Sequence, residues 1–411
     1  MSVKITASVG DVGTISVSGT DVVSLTTTGM SAAAGKTVTA NALVSGTVEQ
    51  SIGAALGFRN KIIGGDFTTN PWQRGTSFTG PTGAYTSDRF YCGNSTTGVV
   101  NVLKTADAPT AAQAGVFTQH CMHVDTTTAA GSISGANTCG ISQPIEGLNI
   151  ACCGFGQAGI RYVTLSFWHK HTKTGTYCVS FRNSAINRSY VAEYVQDVTN
   201  TWEKAVITIP VDTAGTWLYD NGIGLNIRFA IADGSTYHTS PNSWSAGNYV
   251  ATANQVNALD NVANDFKLAL IQLEAGSVAT PFETRSVGQE LSLCQRYYYR
   301  ITPGAVSMNL CSSCYAATTT TAGAIGHFPT SMRIAPTALE QSGTANHYQI
   351  SSGVWGNISC SAVPTYGSVT TVNNWFVNIT VASGLTAGQA GYFRTDSTNG
   401  AAAYLGWSAE L

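Results

Sequence analysis

Across 411 residues the chain sets 20 Lys plus Arg against 22 Asp plus Glu, a net charge of −2, and only 10% of its residues are charged. An ordinary globular domain carries roughly 25%, so Ser, Thr, Asn, Gln and Gly must keep this surface wet. Without a basic field to condense on phosphates the balance excludes a nucleic-acid binder or a membrane-surface protein, and 8 Trp, 17 Tyr and 14 Phe are too much burial material for a disordered chain.

Residues 1–57 contain no Phe, Tyr or Trp, and Val, Ala, Ser, Thr and Gly dominate them. Such a segment cannot bury enough large side chains to offset its own ordering entropy. Ile15 and Val17, then Val22, Val23 and Leu25, alternate between Gly10, Gly13, Gly19 and Gly29, which predicts brief β pieces in an extended arm. The near-copies at 9–12 (VGDV) and 17–22 (VSGTDV) hint at a repeat. The arm is expected to order itself against copies of itself or a partner surface; an unstructured leader is the alternative. The opening MSVKITASVGDVG lacks the basic and apolar regions of a secretion signal, and no apolar run reaches 18 residues, so neither export nor membrane insertion is expected.

From Phe58 the composition becomes that of an aromatic-rich β protein. Strands are predicted at 162–170 (YVTLSFWHK), 176–181, 202–211 (WEKAVITIPV) and 222–232 (GIGLNIRFAIA). In the last, Leu225, Ile227, Phe229 and Ile231 alternate with Asn226, Arg228 and Ala230, the period of a strand with one buried face. Residues 266–274 (FKLALIQLE) are apolar on both faces and predict a central strand. Short strands at regular spacing indicate an antiparallel jelly-roll sandwich over 58–285. Ser286 and Gln289 read as a capping box opening one short helix, in a linker over 286–300. Residues 301–411, with 375–381 (WFVNITV) and the stretch from Tyr404 to the end, predict a smaller C-terminal β-sandwich. The fold class is therefore all-β.

Three motif groups then recur in order. Residues 60–67 (NKIIGGDF), 72–78 (WQRGTSF) and 87–90 (SDRF) open the first sandwich; 272–276 (QLEAG), 279–283 (ATPFE), Arg285, 289–291 (QEL) and 294–298 (CQRYY) close it. Residues 328–329, 332–336 (MRIAP) and 408–411 (SAEL) complete the set. Together they resemble a domain of bacteriophage virion proteins that recurs in tail fibres and related appendages, with a jelly-roll, carbohydrate-binding-module-like sandwich. The resemblance covers 60–411 and leaves residues 1–57 outside, as for an attachment arm that differs between viruses. Physically, residues 64–67 are expected beside the 266–274 strand, with Phe282 as an apolar plug over the sheet and Arg89, Arg285, Glu274 and Glu283 as ion-pair partners.

Chemistry is sparse. His120, His123, His169, His171, Cys311 and Cys314 offer metal-ligand types, but no second Cys or His pair completes a zinc set, and calcium ligation by Asp220, Asp260 and Asp265 is a weaker idea. No cofactor is expected. Most of the 10 cysteines read as buried thiols, with a disulfide left open for Cys311 with Cys314 or for one involving Cys152 and Cys153. No carboxylate pair suggests glycoside hydrolysis, and no nucleophile elbow or phosphate loop is present, so no enzyme is expected. Glycan binding draws on aromatic rings beside amides and carboxylates in loops: Trp217, Tyr219, Asp220, Tyr237, His238 and Trp244 are the candidates, Trp217 and Trp244 being equally suited to plug a sandwich end or subunit seam.

The resemblance implies a virion structural protein, assembled in the host cytoplasm. It would dock to other virion proteins through residues 1–57, form a homotrimeric fibre and present its sandwiches to a host-surface glycan. The alternatives are a head fibre or capsid decoration protein, and a free carbohydrate-binding module or polysaccharide depolymerase.

Overall fold

The computed structural model describes residues 58–411 in full and, of residues 1–57, the backbone of three strands. The chain forms two compact units, Met1–Leu56 and Gly57–Leu411. In the first, Gly13–Val17, Thr20–Thr26 and Gly29–Ala32 make an antiparallel meander with Gly13 opposite Leu25 and Val23 opposite Ala32. The first two strands fall where the alternation put them; the third begins at Gly29, one of the punctuating glycines. The rest of the arm, and with it the expected repeat and docking contacts, lies outside the described residues.

The second unit is all-β, and its first sandwich packs a six-stranded sheet against a seven-stranded one. The six-stranded sheet runs Glu203–Pro210, Tyr162–His171, Asp265–Ala275, Cys121–Thr128, Val99–Thr105, Ser77–Thr79 in spatial order. The seven-stranded sheet runs Trp244–Ala246, Arg188–Gln196, Gly175–Arg182, Ile223–Asp233, Thr138–Glu146, Tyr91–Asn94, Gly83–Tyr85. Every strand pair within these sheets is antiparallel. Leu225, Ile227, Phe229 and Ile231 face inward with Val163, Leu165, Phe167, Val179 and Phe181 in one continuous core. Each such side chain contributes about 1.5–3 kcal/mol on burial.

Asp265–Ala275 is an interior strand covered on both sides, as its composition required. Phe266, Leu268, Ile271 and Leu273 enter the core. Leu270, at φ 48°, takes the left-handed conformation where the register slips between Ser166 and Trp168. The slip turns Leu270 outward with Ala269 and Trp168, where Phe282 lies over them as the predicted plug. The 64–67 segment does run beside this strand, but not as regular β. Lys61 N donates to Leu273 O at 2.8 Å and Ile271 N to Gly65 O at 3.0 Å, while the Asn60 amide side chain replaces further ladder bonds at Ile271 O and Leu273 N. Gly64 interrupts the extended backbone at φ 74°; a Cβ there would stand 2.3 Å from Asn70 Nδ2.

Ser286 caps the predicted helix, Val287–Gln295, by accepting from Gln289 N at 3.3 Å. Two further one-turn helices, Ala111–Ala114 and Gly147–Ile150, are too short to leave a periodic signal. Beyond the helix, Tyr298–Ile301, Leu405–Ser408 and Glu340–Gln341 form a three-stranded sheet beside a second seven-stranded one. They share a core in which Trp407 stacks between Trp375 at 4.8 Å and Tyr299 at 6.0 Å, centroid to centroid. Among the described residues no helix is long and apolar enough to cross a membrane.

Candidate functional site

The motif residues converge where the two cores meet. Arg89, 1% exposed and itself at φ 72°, lays its guanidinium 3.5 Å from the centre of the Tyr297 ring. It donates to the Glu410 carboxylate through Nη1 and to Pro144 O through Nη2 at 2.7 Å. Arg74 stacks on Tyr298 at 3.4 Å and reaches the same carboxylate at 3.3 Å. Arg333 ties the chain's end down by donating to Ala409 O and Glu410 O, both at 2.7 Å, and to Asn221 O at 2.6 Å.

On the opposite side Glu146 accepts from Arg296 Nε at 2.9 Å, Arg296 Nη2 at 2.6 Å and the Tyr297 hydroxyl at 2.5 Å. Burial pushes the Glu146 carboxyl upward, but these hydrogen bonds outweigh it and hold it below its ordinary value. Burial also pushes the Tyr297 phenol up to about 12. Asp88, buried and bonded to Gln73 N at 2.7 Å, is raised by desolvation. Of the expected ion pairs, Arg285 does meet Glu283, at 3.3 Å, and also Glu290. Glu274 pairs instead with Arg59 at 3.6 Å, and Arg89 with Glu410. Glu146, Glu410 and Arg333 were not singled out as partners, because they lie far from Arg89 in sequence and only folding joins them.

The six glycan candidates fall in three places. Trp217 and Trp244 meet at one end of the first sandwich, ring centres 5.5 Å apart and edge to face. Trp217, 7% exposed, lies against Phe155 at 4.5 Å and donates its indole N–H to Ala214 O at 2.8 Å. Trp244 donates to Pro210 O at 2.8 Å. Tyr219 and Asp220 sit in the loop that carries Asn221 to Arg333, at the junction; Asp220 Oδ1 accepts from Gly222 N at 2.7 Å. Tyr237 and His238 lie on the outer face of the first seven-stranded sheet, where Tyr237 packs beside Tyr249 on Cys178, Val191 and Ala230. His238 Nε2 is 2.9 Å from Asp233 O.

The described residues form surface grooves. One of 680 Å³ follows the edge strand Glu203–Pro210 and includes Trp168, Trp202, Glu193, Asp197 and Glu203. Another, of 570 Å³, lies on the C-terminal sandwich beside Cys311, His327 and Trp375. Trp168 and Trp202 went unnamed as site residues because they read as strand positions.

His169 and His171 are core residues: His171 stacks on Phe266 at 4.1 Å, and burial, then the neighbouring His169, lowers it well below its ordinary value. His123, Asp125 and Asp265 bring one ligand atom each within 4.8 Å of one another. His123 and Asp265 already pair at 2.8 Å, and Lys267 lies 3.5 Å from Asp265. Asp260 bonds Lys173 instead. All ten cysteines are free thiols, eight of them buried; Cys152 is exposed and Cys311 half-buried.

No protein-family profile and no curated protein matches the chain. Among solved structures, the enzymatically active domain of bacteriophage CBA120 tailspike protein 4 is 12% identical over 53% of this chain, with a TM-score of 0.29. This chain spans 21% of that one. TmCBM61, in complex with β-1,4-galactotriose, is 9% identical with a TM-score of 0.26, covering 52% of this chain and 97% of its own. The family 11 carbohydrate-binding module of Clostridium thermocellum, in complex with a mixed-linked tetrasaccharide, is 11% identical with a TM-score of 0.25, covering 50% and 98%. Likenesses this weak establish neither family nor function, and the fold rests on this chain's own sheet topology.

Proposed function

We propose that the chain is a structural protein of a phage particle, of the fibre or appendage type, that docks through residues 1–57 and holds its sandwiches out for attachment to a host-surface glycan. The observation that carries this reading is the use to which the motif residues are put. Arg74, Arg89, Arg285, Glu290, Arg296, Arg333 and Glu410 are bound to one another, to backbone carbonyls or to aromatic rings around the meeting point of the two cores. A set of charged residues spent on rigid coupling suits a load-bearing part. The mechanism is adhesion and assembly, without turnover.

A homotrimer fits an arm that gains most by ordering against copies of itself, and three copies multiply weak surface contacts through effective concentration. Light scattering on the full chain tests the assembly: a trimeric mass is expected, and a stable monomer contradicts it. Location on the virion separates a tail fibre from a head fibre. Release of reducing ends from envelope polysaccharide by the purified chain would overturn the non-catalytic reading in favour of a depolymerase.

A further inference from the structure

The outer face of the first seven-stranded sheet is partly covered by the segment that carries Tyr237 and Tyr249, and beside that cover it holds a polar row unusual for so charge-poor a chain, with Arg228 6% exposed and Tyr91, Arg182 and Asn226 half-buried. One row of side chains crosses it from Tyr91 through Ser142 and Arg228 to Ser180, each directly opposite the next on neighbouring strands. In the adjoining row Arg182 stands opposite Asn226. The two arginines are thus diagonal neighbours on one face. Asp233 is bonded to Arg228 Nη2 at 2.8 Å, and no ion pair reaches Arg182 among the described residues.

Arg228 lies flat along the sheet over two glycines. A Cβ on Gly140 would stand 2.8 Å from its Cζ, and one on Gly93 3.6 Å from its Nη1. Arg182 leans the other way, donating through Nη1 to Asn248 Oδ1 at 2.8 Å. Arg228 Nη1 and Arg182 Nη2 have no protein partner among the described residues. Beneath them Ser180 Oγ, Asn226 Oδ1 and the Nε atoms of both arginines are buried without a partner. Unpaired buried polar atoms are rare in native proteins, and a concentration of them calls for an explanation. Burial, and then the charge of Arg228, brings Arg182 down to about 10, the mark of a cation short of counter-charge.

We infer that this face is a binding site for the carboxylate group of an acidic saccharide. One free terminal nitrogen on each guanidinium, with one excess positive charge against Asp233, suits a carboxylate, whose two oxygens accept charge-assisted N–H bonds. Asn226 and the rims of Tyr91 and Tyr249, each half-buried, supply a bonding group and ring faces for the hydroxyls and apolar side of the sugar. The near-neutral chain supplies no wider field that would draw in polyphosphates. The inference deepens the attachment reading and rests on it for biological context, but its test uses the purified full chain without particles, so either can fail alone.

Calorimetry with tetragalacturonate, with the same oligosaccharide after reduction of its carboxylates to alcohols, and with inorganic phosphate decides the matter. Tetragalacturonate is expected to bind at least about tenfold more tightly than its reduced form, and phosphate at the same concentration is expected not to displace it. Arg182→Gln should weaken binding by about tenfold or more. Asn226→Asp, which sets a competing carboxylate opposite Arg182 without removing a cation, should do the same with its melting temperature unchanged. Equal binding of the acidic and reduced oligosaccharides, displacement by phosphate, undiminished binding by Asn226→Asp, or no binding of tetragalacturonate at millimolar concentration would each overturn the assignment.

Discussion

Replacing Glu410 by Ala should loosen the joint between the two sandwiches more than any other change of one surface-proximal residue. The carboxylate side chain is 4% exposed and its partner Arg89 1% exposed, so the pair lies where water cannot take over. Removing one member of a buried pair typically costs about 3–5 kcal/mol, because the other charge stays buried without compensation. Here Arg89 keeps its bond to Pro144 O and its place on the Tyr297 ring, so the lower end, about 3 kcal/mol, is the expected loss. Urea unfolding followed by tryptophan fluorescence measures it, with Trp355, Trp375 and Trp407 reporting on the C-terminal core. Arg89→Met alone should also destabilise. The double variant Arg89→Met with Glu410→Leu should recover much of the loss, since two apolar groups leave no charge stranded. A loss below about 1 kcal/mol for Glu410→Ala, or strictly additive single effects, would show that the pair does not couple the sandwiches.

Stability should also depend on pH through His169 and His171. Burial depresses both below their ordinary 6.5, so the unfolded chain binds protons first: their contribution is complete above about 6.5 and is lost as pH falls below it. Urea midpoints from pH 8 to pH 5 should fall accordingly, and His171→Phe, which preserves the stack on Phe266, should flatten the slope; an unchanged slope contradicts the assignment. Cys152 should be the first thiol alkylated by iodoacetamide, since a hydrogen bond from Cys153 and the charge of Lys61 hold it below its ordinary value while it is exposed; peptide mapping that finds Cys311 labelled first refutes this. Trp217→Ala should cost about 3–5 kcal/mol as a core truncation, read by thermal unfolding, and a cost below 1 kcal/mol would mean that the ring is not held by Phe155 and Trp244.

Strand positions were legible because alternation reports one buried face. The 222–232 pattern sent Leu225, Ile227, Phe229 and Ile231 inward, and the doubly apolar 266–274 run marked an interior strand covered on both sides. Irregularities left no such trace. Leu270 turns outward only because the register slips beside it, and residues 60–65 give up the regular ladder to the Asn60 side chain and the left-handed Gly64. The junction was half readable: its residues were picked out by motif, but the Arg89–Glu410 and Arg296–Glu146 pairings depend on long-range closure. The arginine face was the least legible. Arg228 sat on the polar side of an alternating strand, where a charge reads as solvated, and only the cross-strand register placed Arg182 beside it over two glycines. A charged residue in so charge-poor a strand was the one available signal.

The central claim is that residues 1–57 attach a rigid pair of sandwiches to a virus particle. Quantitative mass spectrometry of purified virions, assembled with either the full chain or residues 58–411 alone, tests it most directly. The full chain should be present at a fixed copy number divisible by three, and the truncated chain should fold and yet be missing from the particles. Particles that lack the full chain, or that take up the truncated one at the same level, would contradict the account.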